Sequence, residues 1–139
     1  MNNIELCLEE LGFTVVPITG TSMLPLLREG KSQVELERVE SKPLKKGDVV
    51  LYKKSDGTLV LHRIINTESE DVLTVLGDHQ WKNPDKINKG QVIAIGIGFY
   101  INGRYTDEKT LWYKIYKKIW MGSLTLRRII LAFLRLFGI

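Results

Sequence analysis

The sequence holds one cysteine, Cys7, and two histidines, His62 and His79. A single thiol forms no intramolecular disulfide, so nothing calls for an oxidising compartment. These three residues offer no zinc-type spacing, and neither a metal nor another cofactor is expected. Long apolar runs are lacking too. None approaches the ~18 residues of a membrane-spanning helix. The N-terminal stretch has no basic region followed by an apolar core, so no secretory signal is predicted. A cytoplasmic place, or a peripheral one at a membrane surface, fits these absences. Acidic residues are missing from one region only. Residues 111–139 carry six of the 20 Lys and Arg and no Asp or Glu, which leaves 14 basic and 16 acidic residues in 1–110. The formal net charge of +4 is therefore that of a basic tail on a body of net −2. Such a body is not a general nucleic-acid binder, and no nucleic-acid partner is expected.

What is present suits one domain. The 139 residues suffice for a core without disulfides or metals. Residues 2–11 read as a short amphipathic helix, with Ile4, Cys7, Leu8 and Leu11 at helical spacing. Asn2 with Glu5 fits a capping box, and Gly12 fits a stop. No second helix follows across a turn, which speaks against a helix-turn-helix DNA reader.

From Phe13 to about Arg104 the pattern is that of strands. Phe13 to Val16 is the first. Gln33 to Val39 alternates polar and apolar, as a half-buried strand does. Val49 to Tyr52 is continuously apolar. Ser55-Asp56-Gly57-Thr58 is a hairpin signal, in which Asp-Gly supplies positive φ. Leu59 to Ile65 returns, and Val72 to Leu76 follows. His79 to Asn88 reads as a polar loop. Val92 to Tyr100 is the last long run, its two glycines suggesting a bend or bulge. Asn102-Gly103 is a turn. The expectation is a mainly β fold: an antiparallel body of six to eight strands in 1–110, with a short N-terminal helix.

Residues 111–139 differ. Trp112, Ile115, Tyr116, Ile119 and Trp120 form one helical stripe, and Ile129, Ile130, Phe133, Leu134 and Phe137 form another. Lysines and arginines lie beside them, and Gly122-Ser123 breaks or bends the segment. This basic amphipathic tail has three readings: a helix lying in an anionic membrane interface, a dock for a partner protein, or a helix packed back on the β body.

Chemistry concentrates in a few places. Thr19-Gly20-Thr21-Ser22-Met23-Leu24-Pro25 sets a serine in a turn after the first strand. Gly20 can take angles closed to other residues, and Pro25 fixes its own φ. Ser22 needs a base, and His62 lies in the strand returning from the hairpin. A histidine base needs an orienting acceptor, and Gly77-Asp78 ends a later strand. Arg63 reads as a solvated strand residue or an acid's partner, and Asp48 as turn chemistry.

Taken in order, Gly20-x-Ser22-Met23-x-Pro25, Gly47-Asp48-Val49-Val50, His62-Arg63-Ile64 and Gly77-Asp78 resemble the boxes of the signal peptidase I family. The likeness is to its histidine-base, archaeal and endoplasmic-reticulum type, and spans roughly residues 13–100. It implies a LexA/signal-peptidase-like β body and a serine endopeptidase acting on a leader- or signal-type peptide. Ser22 would be the nucleophile and His62 the general base, with Asp78 as third member and Asp85 as the alternative. The Ser22 N–H would be one oxyanion donor, and Met23 would border the substrate pocket. Two departures mark the site. Gly20 stands where many bacterial relatives carry an oxyanion-hole serine, with Thr21 a possible substitute. His79-Gln80 follows Gly77-Asp78 where the histidine type usually has asparagine. A catalytically inactive peptide-binding or adaptor module of the same fold is the alternative function.

Overall fold

The computed structural model describes residues 3–138. Helix α1 (Asn3–Leu11) leads into eight strands, β1 (Phe13–Pro17), β2 (Ser32–Arg38), β3 (Val49–Lys53), β4 (Leu59–Thr67), β5 (Val72–Leu76), β6 (Asp85–Asn88), β7 (Val92–Ile101) and β8 (Arg104–Thr106). Two helices follow, α2 (Leu111–Gly122) and α3 (Leu124–Arg135). All strand pairs are antiparallel, in the order β1-β2-β7-β3-β4-β5-β6, with β8 on β7. The fold is mainly β.

Both faces of the sheet are covered, which explains the mixed strand patterns. Strand β2 alternates because it buries one side only: Val34 and Leu36 enter the core while Gln33 stays exposed. Strand β3 is apolar throughout because it is buried on both sides. Val49 and Leu51 join a core with Leu27, Val34, Leu36 and Phe99, while Val50 and Tyr52 join a second with Ile64, Leu73, Val75 and Ile87. The hairpin after β3 forms as its sequence requires, with Gly57 at φ 89 and the Thr58 N–H bonded to Asp56 Oδ1 at 2.9 Å. The paired glycines of β7 flank a bulge: Glu35 faces Gly98 and Leu36 faces Gly96, so Ile97 is the extra residue. Asn102 and Gly103 both take positive φ in the turn before β8, as a tight hairpin demands.

Three expectations need correction. The polar stretch His79–Asn88 is not all loop, because Asp85–Asn88 pairs with β5. Its one apolar side chain, Ile87, sits across from Leu73 and is buried. A single apolar residue among polar ones leaves no alternation to read. In α1 the anticipated stripe holds at Leu8, which is buried, and at Ile4, which packs on the same core, but not at Leu11, which is 66% exposed. The helix ends at once: the Gly12 N–H returns to the Leu8 carbonyl at 2.9 Å, and Arg38 caps the Leu8 and Glu9 carbonyls. Arg63 is not solvated but fully buried, as an acid's partner. The anticipated cap at Asn2 lies outside the described residues.

The tail is a helical hairpin docked on the body. Ser123 ends α2 and caps α3, its hydroxyl accepting the Leu126 N–H at 3.3 Å. Tyr113, Trp120, Arg127 and Leu131 face inward and are buried. Among the described residues no helix is long and apolar enough to cross a membrane.

Candidate active site

Ser22 lies five residues beyond β1, at the start of a helical turn closed by Leu24 N–H to Thr21 O (3.2 Å) and Leu27 N–H to Met23 O (2.9 Å). Gly20 makes the preceding corner at φ 78, a conformation that disfavours other side chains. Leu26 and Leu27 anchor the turn in the core. Ser22 itself is half-buried, and among the described residues its hydroxyl makes no hydrogen bond. The N–H groups of Thr21, Ser22 and Met23 likewise donate to no protein acceptor.

The Ser22 turn walls a cleft of about 520 Å³. Pro17 to Thr19 continue that wall, Leu59, Val60 and Leu61 of β4 also line the cleft, and Met23 is buried against it. Two strand edges there are unpaired. Strand β1 pairs with β2 alone, and β4 pairs with β5 only from Arg63 onward, leaving Leu59–Leu61 bonded on the β3 side alone.

One glycine joins the chemical groups. Arg63 faces Leu76 where β4 and β5 begin to pair, and His62 and Gly77 are the next residues of the two chains beyond that pair. Gly77 rests on Ser22. A Cβ there would strike the Ser22 carbonyl oxygen and crowd the Ser22 Cβ at 3.1 Å. The His79 N–H bonds the same Ser22 carbonyl at 2.9 Å, and Gln80 Oε1 accepts the Gly77 N–H at 2.8 Å. The serine turn and the turn after β5 are thus locked together beside the histidine.

His62 is buried, on the face of β4 that carries Ile64. Its Nδ1 is 3.2 Å from the Tyr52 hydroxyl, and the two rings meet edge-on. Among the described residues its Nε2 makes no hydrogen bond. Burial pushes the His62 pKa down, with the charges of Asp85 and then Asp78 pulling it the other way. Burial, aided by the Asp85 charge, pushes the Tyr52 phenol up to about 12, so it stays neutral. Asp85 is exposed at the start of β6 and lines one hollow with Tyr52.

Asp78 is engaged elsewhere. Its carboxylate accepts Arg63 Nε at 2.8 Å, Arg63 Nη2 at 2.9 Å and the Tyr116 hydroxyl at 2.8 Å. Its carbonyl accepts Trp120 Nε1 at 2.8 Å. Burial opposes the Arg63 charge, but the Asp78 carboxylate outweighs it and raises the Arg63 pKa. Arg127 reaches the same turn from α3, donating to the carbonyls of Gly77 and Gln80. The first three anticipated residues therefore divide. Ser22 packs on Gly77, whereas the Asp78 carboxylate binds Arg63 and Tyr116, and Tyr52 occupies His62 Nδ1. Among the described residues no three His, Cys, Asp or Glu side chains gather to hold a metal.

No family model matches the chain, and no curated protein matches it either.

Sequence reasoning passed over Tyr52, though a signal was present. The hairpin register pairs Val50 with His62 and Tyr52 with Val60. Tyr52 is thus the diagonal neighbour of His62 on one sheet face, within reach of a long side chain.

Proposed function

We propose that the protein is a serine endopeptidase acting on extended peptides of leader or signal type, with Ser22 as nucleophile and His62 as general base. The observation that carries this reading is the Gly77 joint, where Ser22 packs on the residue that follows β5, and β5 begins its pairing with β4 at Arg63, next to His62. The cleft supports it, because two unpaired strand edges suit a substrate bound by strand addition. Ser22 Oγ attacks the scissile carbonyl as His62 Nε2 takes its proton, and the imidazolium returns that proton to the leaving amine. The unpaired N–H of Ser22, with that of Thr21, would receive the oxyanion. Met23 would contact substrate from the buried side of the cleft.

In this scheme Tyr52 takes the place usually given to an acid. Neutral Tyr52 accepts Nδ1–H, which leaves the lone pair on Nε2, and Asp85 supplies charge from further out. Tyr52→Phe is expected to lower kcat on the order of tenfold or more and to shift the acidic limb of the pH–rate profile downward. A Tyr52 that only fills space would leave that limb in place.

A second reading is the inactive peptide-binding module. Its support is that the Ser22 hydroxyl makes no hydrogen bond to His62, although catalytic hydrogen bonds are often loose without substrate. Peptides rich in small residues separate the two readings. Cleavage is expected from the wild type and not from Ser22→Ala. Turnover that survives in Ser22→Ala sinks the mechanism, and binding without cleavage by either protein favours the module.

A further inference from the structure

Helices α2 and α3 bury one face and leave another, strongly apolar, in the open. Trp112, Ile115 and Ile119 recur at i, i+3 and i+7 on α2 and are 46%, 53% and 39% exposed. On α3, Leu126, Ile129 and Phe133 repeat the spacing, and Phe133 packs ring to ring with Phe137 just beyond the helix. The inward faces are already spent on Asp78, Gly77 and the sheet. Much of the surface of these outer side chains therefore stays open to solvent.

Charge indicates what covers them. Residues 111–139 contain no acid. Lys114 and Lys118 stand one turn apart on α2, both exposed, beside the apolar stripe. With Lys117 they surround a hollow of about 340 Å³ at the junction of α2 with the Lys46-Gly47 turn. Lys46 and Met121 complete its lining, which includes no acidic residue. Lys117 is held by Glu108 at 2.9 Å, outside that lining.

We infer that the outer face of α2 and α3 docks on an anionic lipid bilayer. The apolar stripes enter the acyl boundary, and the lysine-ringed hollow takes a headgroup phosphate. Helices with aromatic and aliphatic residues on one side and Lys or Arg on the other lie in this way in the interface plane. Lysines near an anionic leaflet strengthen the attachment, and salt weakens it. The inner face meanwhile stays clamped on the turn after β5, so docking leaves the body folded.

The test is flotation of the full chain with phosphatidylcholine vesicles, alone or with a third phosphatidylglycerol. Binding is expected to the mixed vesicles, to be much weaker to neutral ones, and to fall with added salt. Lys114→Gln with Lys118→Gln is expected to lower partitioning about 30-fold. Phe133→Glu with Ile129→Glu is expected to abolish it. All four side chains are exposed, so melting temperatures near wild type are expected and verify folding. Ser22→Ala is expected to float as the wild type does, which separates this inference from the fate of the peptidase reading. Equal binding to neutral vesicles, or no binding at all, overturns it. So does a dimer in sedimentation that Phe133→Glu dissolves, since the face would then belong to a second copy.

Discussion

Asp78→Ala is expected to destabilise the protein by about 3–5 kcal/mol, because it strands a guanidinium in the interior. Arg63 and Asp78 each show 0% side-chain exposure. The pair is bidentate, and Arg63 Nη1 donates to the Gly47 carbonyl and the Tyr113 hydroxyl. Removing the carboxylate also takes the acceptor from Tyr116. It further removes the charge that partly offsets Arg127, whose pKa burial already pushes down. Against a domain stability of roughly 5–15 kcal/mol, that loss brings the chain close to unfolding. Urea denaturation measures it. Asp78→Ala combined with Arg63→Met should recover much of the stability, since apolar replacement of a buried ion pair is often neutral or better. A single Asp78→Ala variant within about 0.5 kcal/mol of wild type, the range of a surface substitution, would refute the structural assignment. Asp85→Ala is the contrast, because its side chain is exposed.

That contrast shows what the linear sequence could carry. The strands were legible because their two patterns have separate causes: alternation in β2 from one buried face, continuity in β3 from two. The Gly57 and Asn102-Gly103 turns were legible because positive φ restricts residue choice. Strand β6 was not, because register with β5 makes it a strand and its own residues do not. At the site, Ser22 and His62 were visible as residue types in a pattern. The partner of Asp78 was not, because Arg63 beside His62 looks like any charged strand residue until the docked tail closes over it. Arg127 was hidden for the same reason. Helical periodicity found the tail's helices but put Trp120 in one stripe with Trp112, Ile115 and Ile119, whereas Trp120 is buried together with Tyr113 and the other three are exposed. Tyr116 and Trp120 are turned inward by hydrogen bonds to Asp78, 38 and 42 positions away, and Tyr113 accepts one from Arg63.

His62→Ala is expected to remove as much turnover as Ser22→Ala, and the double variant no more than either. Base and nucleophile act as one unit, so each loss is on the order of 10⁴–10⁶ in kcat and the losses do not multiply. The pH dependence follows from the burial of His62. Its pKa lies below the ordinary 6.5, so the imidazole is neutral and able to accept a proton at pH 7. The value of kcat/KM should therefore rise with pH through a midpoint below 6.5 and then stay level. Stability should follow the same sign. Between the folded pKa and 6.5 the unfolded chain binds more protons than the native one, so stability falls as pH drops through that window. Below the folded pKa the His62 contribution to the slope ends. Removing His62 should flatten this window in urea titrations while leaving the rest of the profile in place. An acidic limb centred above 6.5, or single variants whose losses multiply in the double variant, would mean that the proton of Ser22 goes elsewhere. His79 would then be the next residue to change, since its half-buried ring holds an Nδ1 without a partner and its N–H already bonds the Ser22 carbonyl.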